Sequence, residues 1–195
     1  MNKGVKRLLA GLGFVVLIAT FYYLISNRNI TTTAEVPAKM TVVQDLLSRD
    51  LTKDYPPTPK EVVKFYADIT VALYSEDYSD EEYEALARKM YSLFDAKLAA
   101  NTEEDVYLNN LKNEINGIKE PGYKISSYSL GAATDVEYFK KDHHDCARLR
   151  AAFTMKNIKN KYVRLTRETF VLRKDIDGHW KIFGWAMDKE DEEEQ

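Results

Sequence analysis

"KDHHDC", residues 141–146, gathers two of the chain's three histidines and its only cysteine, with Asp142 and Asp145 flanking the His pair. Imidazole, thiolate and carboxylate are zinc ligands, and a thiol beside an imidazole is also the pairing used by cysteine nucleophiles. The spacing argues against both. Adjacent residues on an extended segment point to opposite faces, so His143 and His144 would not share one ion. The chain offers only His179 as a further imidazole and no second cysteine, so a tetrahedral set is not completed. A reactive Cys146 needs neighbouring cations to depress its pKa; Arg148 supplies one, while Asp142 and Asp145 oppose it. The stretch reads as a polar turn leading into the strand "CARLRAAF". No metal ligand, cofactor or catalytic residue is assigned from His143, His144 or Cys146.

Three other groupings invite a chemical reading. "YPPTP", residues 55–59, has a P-x-x-P spacing, but Thr58 as a helix cap and Pro59 at the first helical position account for it. Arg148, Arg150, Lys161, Arg164, Arg167, Arg173 and Lys174, with Tyr162 and Phe170 among them, could form a platform for single-stranded nucleic acid. An exposed sheet face balanced by the acidic helices, or a docking face for another subunit, is the simpler reading, because the body of the chain is acidic and the domain is expected outside the cell. Tyr66, Tyr83, Tyr91 and Tyr107 fall on helical stripes; they read as core-edge aromatics, with the lining of a small-molecule cavity as the alternative.

These residues must be positioned by a helical half followed by a strand half. Thr41/Gln44, Thr58/Glu61, Ser79/Glu82 and Thr102/Asp105 stand at capping-box spacing or close to it. Apolar stripes at Val62–Tyr66–Ile69–Leu73, at Tyr83–Leu86–Met90–Leu93–Leu98 and at Leu108–Leu111–Ile115–Ile118 follow the caps. The pattern predicts a short helix near 42–49 and longer ones near 59–75, 80–99 and 103–118. After Gly122 the period becomes two. "YKISSYSLGAATDVEYFKK" reads as one long or two short strands. "CARLRAAFTMKN" is a further strand, and "KYVRLTRETFVLRK" another, with a bulge expected where its alternation changes phase near Arg167. "DG" at 177–178 turns into a closing strand, "HWKIFGWAM". The expected class is α+β, with three main helices packed on a curved antiparallel sheet.

"LLAGLGFVVLIATFYYLI", residues 8–25, carries no charge. As a helix its 18 residues span about 27 Å, near the thickness of a bilayer core. It outruns the apolar region of a cleaved signal peptide and ends in Phe21, Tyr22 and Tyr23, residues suited to a membrane interface. Lys3, Lys6 and Arg7 crowd its leading flank, which puts the N-terminus in the cytoplasm and the domain outside. Setting those three cations aside leaves 25 basic residues against 31 acidic ones, a net charge of −6, unfavourable for nucleic acid. The expected organisation is a basic N-terminus at 1–7, a transmembrane helix at 8–25, a stalk with a short helix at 26–57, the α+β domain at 58–187 and a disordered acidic tail at 188–195.

The closing stretch "VLRKDIDGHWKIFGWAM", with Gly178, Trp180, Lys181 and Ile182 in a G-x-W-K-I pattern, resembles the end of nuclear-transport-factor-two-like domains. These include the SnoaL-like and ketosteroid-isomerase-like proteins. The resemblance covers about 58–187 and implies a cone-like fold. The layout of anchor, stalk and domain also resembles uncharacterised single-pass membrane proteins of Gram-positive bacteria and, more distantly, the inner-membrane scaffold subunit of type IV secretion systems. Enzymes of the superfamily use a carboxylate base in an apolar cone. No such base is matched in this chain: Asp68 lies on the first long helix and the strands supply tyrosines, but no motif ties these to a pocket. The expected function is a membrane-anchored extracytoplasmic binding or assembly module without catalysis. Its expected partners are the bilayer, through residues 8–25, and a protein or a second copy of the chain, through the sheet face. The alternative is a small-molecule-binding or isomerase/cyclase-like domain using the cone cavity.

Overall fold

The computed structural model describes residues 40–188; the apolar run at 8–25 and the tail from 189 lie outside them. No helix among the described residues is long and apolar enough to cross a membrane. The described chain is α+β. Five helices come first: α1 (Val42–Ser48), α2 (Pro59–Ser75), α3 (Asp80–Ser92), α4 (Ala96–Ala99) and α5 (Glu104–Lys119). Five strands follow: β1 (Tyr123–Leu130), β2 (Glu137–Lys141), β3 (His144–Asn157), β4 (Val163–Lys174) and β5 (Trp180–Met187).

Side-chain caps start the helices. Thr41, Thr58 and Ser79 accept from the backbone N–H of Gln44, Glu61 and Glu82, and Glu82 returns the bond to the Ser79 N–H. Such caps satisfy donors that the first turn leaves orphaned. The fourth expected cap is corrected: Glu103, not Thr102, occupies the N-cap of α5, and it makes no side-chain cap bond.

The helix expected over 80–99 is also corrected, because it breaks after Ser92. Phe94 forms a parallel bridge with Ile182, in which the Asp95 N–H donates to Ile182 O at 2.8 Å and the Ile182 N–H to Leu93 O at 2.8 Å. The Asp95 carboxylate then caps α4 through the Lys97 N–H (2.8 Å) and takes two bonds from Arg173, Nε at 2.9 Å and Nη2 at 2.5 Å. A helical stripe cannot reveal this, since Leu93 stays buried either way. The decisive partners lie about 80 residues further on.

The sheet runs β1–β3–β4–β5, with β2 paired to the N-terminal part of β3, and every strand pair is antiparallel. α2 crosses it, packing against β1, β3 and β5, while α3 packs on α1, α2 and α5. Their shared core includes Val62, Ile69, Leu73, Leu86, Phe170 and Ile182, all without exposed surface. Each such side chain contributes about 1.5–3 kcal/mol. Val43 and Leu46 of α1 are buried in the same core. The short helix assigned to the stalk is therefore part of the folded body.

The bulge expected in β4 near Arg167 is absent. The β3–β4 register runs unbroken from Cys146↔Arg173 to Lys156↔Val163. Irregularities fall instead between Ile125 and Ser127 of β1 and, on the β5 side, next to Phe183. The change of phase has another cause. Along the face of β4 that carries the buried Leu172 and Phe170, the next residues are Glu168 and Thr166. The inward face turns polar while the outward face keeps Val163 and Leu165.

Candidate functional site

Where that inward face turns polar, a cavity of about 240 Å³ lies between the helices and the sheet. α2 contributes Tyr66, Thr70 and Tyr74, one residue per turn, and α5 contributes Tyr107, Leu111, Glu114 and Ile118. The floor is Phe153 and Met155 of β3, Thr166 and Glu168 of β4, and Trp185 of β5. Met90 and Ile125 add apolar surface to the wall.

Two carboxyl groups sit in this wall under different conditions. Glu114 accepts a 2.5 Å hydrogen bond from the Tyr74 hydroxyl. The Glu168 carboxyl makes no hydrogen bond to another of the described residues. No side-chain polar atom among the described residues is sealed off without a partner, so the Glu168 carboxyl faces solvent space in the cavity. Burial, and then the negative charge of Glu114, push its pKa up to about 7 from the ordinary 4.5. It exchanges protons near neutrality, the condition for a general acid or base. The surrounding phenols stay protonated: burial raises Tyr66, Tyr74 and Tyr107, helped at Tyr74 by the bond to Glu114. Glu168 and Glu114 also act electrostatically on Tyr66, so these polar groups converge on one space.

The residues singled out in sequence fall in several places. Tyr66 and Tyr107 line the cavity. Tyr83 donates to the backbone carbonyl of Leu108, and Tyr91 donates to the carbonyls of Ala99 and Thr102, so these two fasten α3 to α5, to α4 and to the lead-in of α5. Asp68 is not in the cavity wall; it accepts from Tyr128 at 2.5 Å and from Lys64 at 2.8 Å. Asp142 and His143, at φ 50° and 65°, form the two-residue turn of the β2–β3 hairpin. His144 opens β3, and Cys146 is buried beside it. Pro56 and Pro59 of the P-x-x-P stretch are buried. Phe170 packs in the core, Tyr162 is exposed, and Arg173 is held by Asp95.

Among the described residues, Asp175, Asp177 and His179 bring three possible metal-ligating atoms together. The turn accounts for them. Asp175 Oδ1 already accepts the N–H of Asp177 and of His179, and the His179 ring lies 4.4 Å from that of Tyr55.

Sequence reasoning missed Glu114, Glu168, Tyr74 and Trp185. For Glu168 the signal was present: the phase change read as a bulge is the mark of an acid on an inward face. Glu114 stands three residues after Leu111 and four before Ile118 on the α5 stripe, a position that could be found only by questioning a polar residue beside a core stripe.

Fold and site together define an α+β domain with an acid-bearing aromatic cavity between its helices and its sheet. A family model described as a domain of unknown function (DUF6715) matches residues 1–185, and the chain belongs to that family. No curated protein matches the chain.

Proposed function

We propose that the domain binds a small organic molecule in the cavity, with Glu168 exchanging a proton with it and the Tyr66 and Tyr107 hydroxyls orienting it. The observation that carries this reading is the Glu168 carboxyl, unpaired among the described residues, lining the cavity beside phenol donors and pushed by burial to a pKa of about 7. Such a pairing suits proton transfer at a carbon next to a carbonyl, the isomerase/cyclase-like alternative. Helices packed against a long antiparallel sheet support the cone-like, nuclear-transport-factor-two-like reading. The test is a ligand-observed NMR fragment screen on the full chain, repeated with Thr166→Trp, which fills the cavity. Hits that vanish in the variant support the reading. Hits that persist, or none at all, sink it.

A second reading, the non-catalytic assembly module, draws on the β3–β4 hairpin end, where Ile158, Tyr162, Val163 and Leu165 are exposed. A protein partner or a second copy would cover them, and Leu165→Glu should then abolish association measured by light scattering. In both readings residues 8–25 anchor the chain as a single-pass helix in a bacterial cell membrane, N-terminus cytoplasmic and domain outside. The uncharged run and its basic leading flank support this. Protease added to intact cells should digest the domain; a protected domain would reverse the topology.

A further inference from the structure

We propose that the cavity selects a small organic ammonium ion, a monocation with an apolar body. This rests on the small-molecule reading above and names its ligand class. The charge of the wall is the first reason. Two carboxyl groups, Glu114 and Glu168, line it, and among the described residues no Lys, Arg or His does. An anion would meet two like charges with no countercharge. A neutral ligand would leave an ionised Glu168 desolvated and unpaired, which is costly.

The second reason is the ring content. Tyr66, Tyr74, Tyr107 and Trp185 all contribute to the wall, with the Tyr66 and Trp185 centroids 5.6 Å apart. Aromatic faces attract cations through their quadrupoles, and more strongly where water is excluded. The third reason is the free carboxyl. An ammonium N–H donating to Glu168 would satisfy the acceptor that the fold leaves open, while Tyr74 already serves Glu114. At about 240 Å³ the space equals roughly eight waters at ~30 Å³ each, enough for a small aromatic or branched amine.

Among the described residues, the titratable groups that line the cavity with Glu168 are Tyr66 and Tyr74 from α2, and Tyr107 and Glu114 from α5; β3 and β5 bring Phe153, Met155 and Trp185 to the wall. Glu168 is therefore the group expected to set the pH dependence of binding. Calorimetric titration of the full chain at pH 8 would compare benzylamine, cationic there, with benzyl alcohol, its uncharged counterpart. Benzylammonium should bind at least about tenfold tighter, and its affinity should fall about tenfold between pH 8 and pH 6 as Glu168, with a pKa of about 7, takes up its proton. Glu168→Gln, checked for folding by circular dichroism, should lose both the preference and the pH dependence. Benzyl alcohol binding as tightly as benzylammonium would overturn the cation class and leave the cavity reading standing. No binding of benzylammonium would also overturn it, and if fragments fail in the NMR screen as well, the cavity reading falls with it.

Discussion

Glu168 has a thermodynamic signature of its own, separate from any ligand. Its folded pKa, about 7, lies above the unfolded value near 4.5. Between those values the folded state holds the proton more tightly than the unfolded one, so stability falls as pH rises through that window. The full loss, on the order of 3 kcal/mol, is reached above pH 7. Glu168→Gln removes the charge, so it should unfold at a higher temperature than the parent at pH 8 and at nearly the same temperature at pH 4.5. Parallel melting curves across that range would contradict the burial of this carboxyl. Asp95 shows the opposite situation, a charge that has its partner. Its side chain is 4% exposed and that of Arg173 14%. Asp95→Ala should destabilise by about 3–5 kcal/mol in urea, because it strands the guanidinium. Adding Arg173→Met should recover part of that. The pairing of Asp95 with Arg173 was not legible in sequence, since each depends on a side chain that only the fold brings near.

Elements were legible where their signals are local. Thr58, Pro59 and Ser79 mark helix starts through bonds that span three residues, so spacing alone reveals them. Ser79→Ala should therefore cost about 1 kcal/mol. Thr102→Ala should stay within about 0.5 kcal/mol, because no cap bond is lost there. Chemical denaturation of the two variants side by side checks both. Where the signal is not local, the reading failed in a consistent direction. The interruption at Leu93–Asp95 depends on β5, and the polar stretch of β4 depends on Tyr66 and Tyr107 being opposite. Binary patterning reports which residues face inward only if everything inward is apolar. A lined cavity breaks that condition, and Thr166 and Glu168 mimic a slip in register.

For the whole molecule, the order of helices before strands and the α+β class followed from the change of period after Gly122. The boundary of the domain did not. A stretch expected as stalk carries Val43 and Leu46 into the core and lets the Tyr55 hydroxyl donate to Trp180 O at 2.9 Å. A chain beginning at residue 58 should thus be less stable than one beginning at 40 by several kcal/mol, at about 1.5–3 kcal/mol per buried side chain. Equal urea midpoints for the two would return α1 to the stalk. The pairing of Leu93–Asp95 with Ile182 bears on how copies of the domain can meet. An open strand edge invites polymerisation by strand addition. In this fold the outward N–H and C=O of Ile182 are already spoken for within the chain, so a strand from a neighbouring copy cannot zip along β5 without first unfastening this segment. The short interruption between two helices acts as a built-in terminator at that point of the β5 edge.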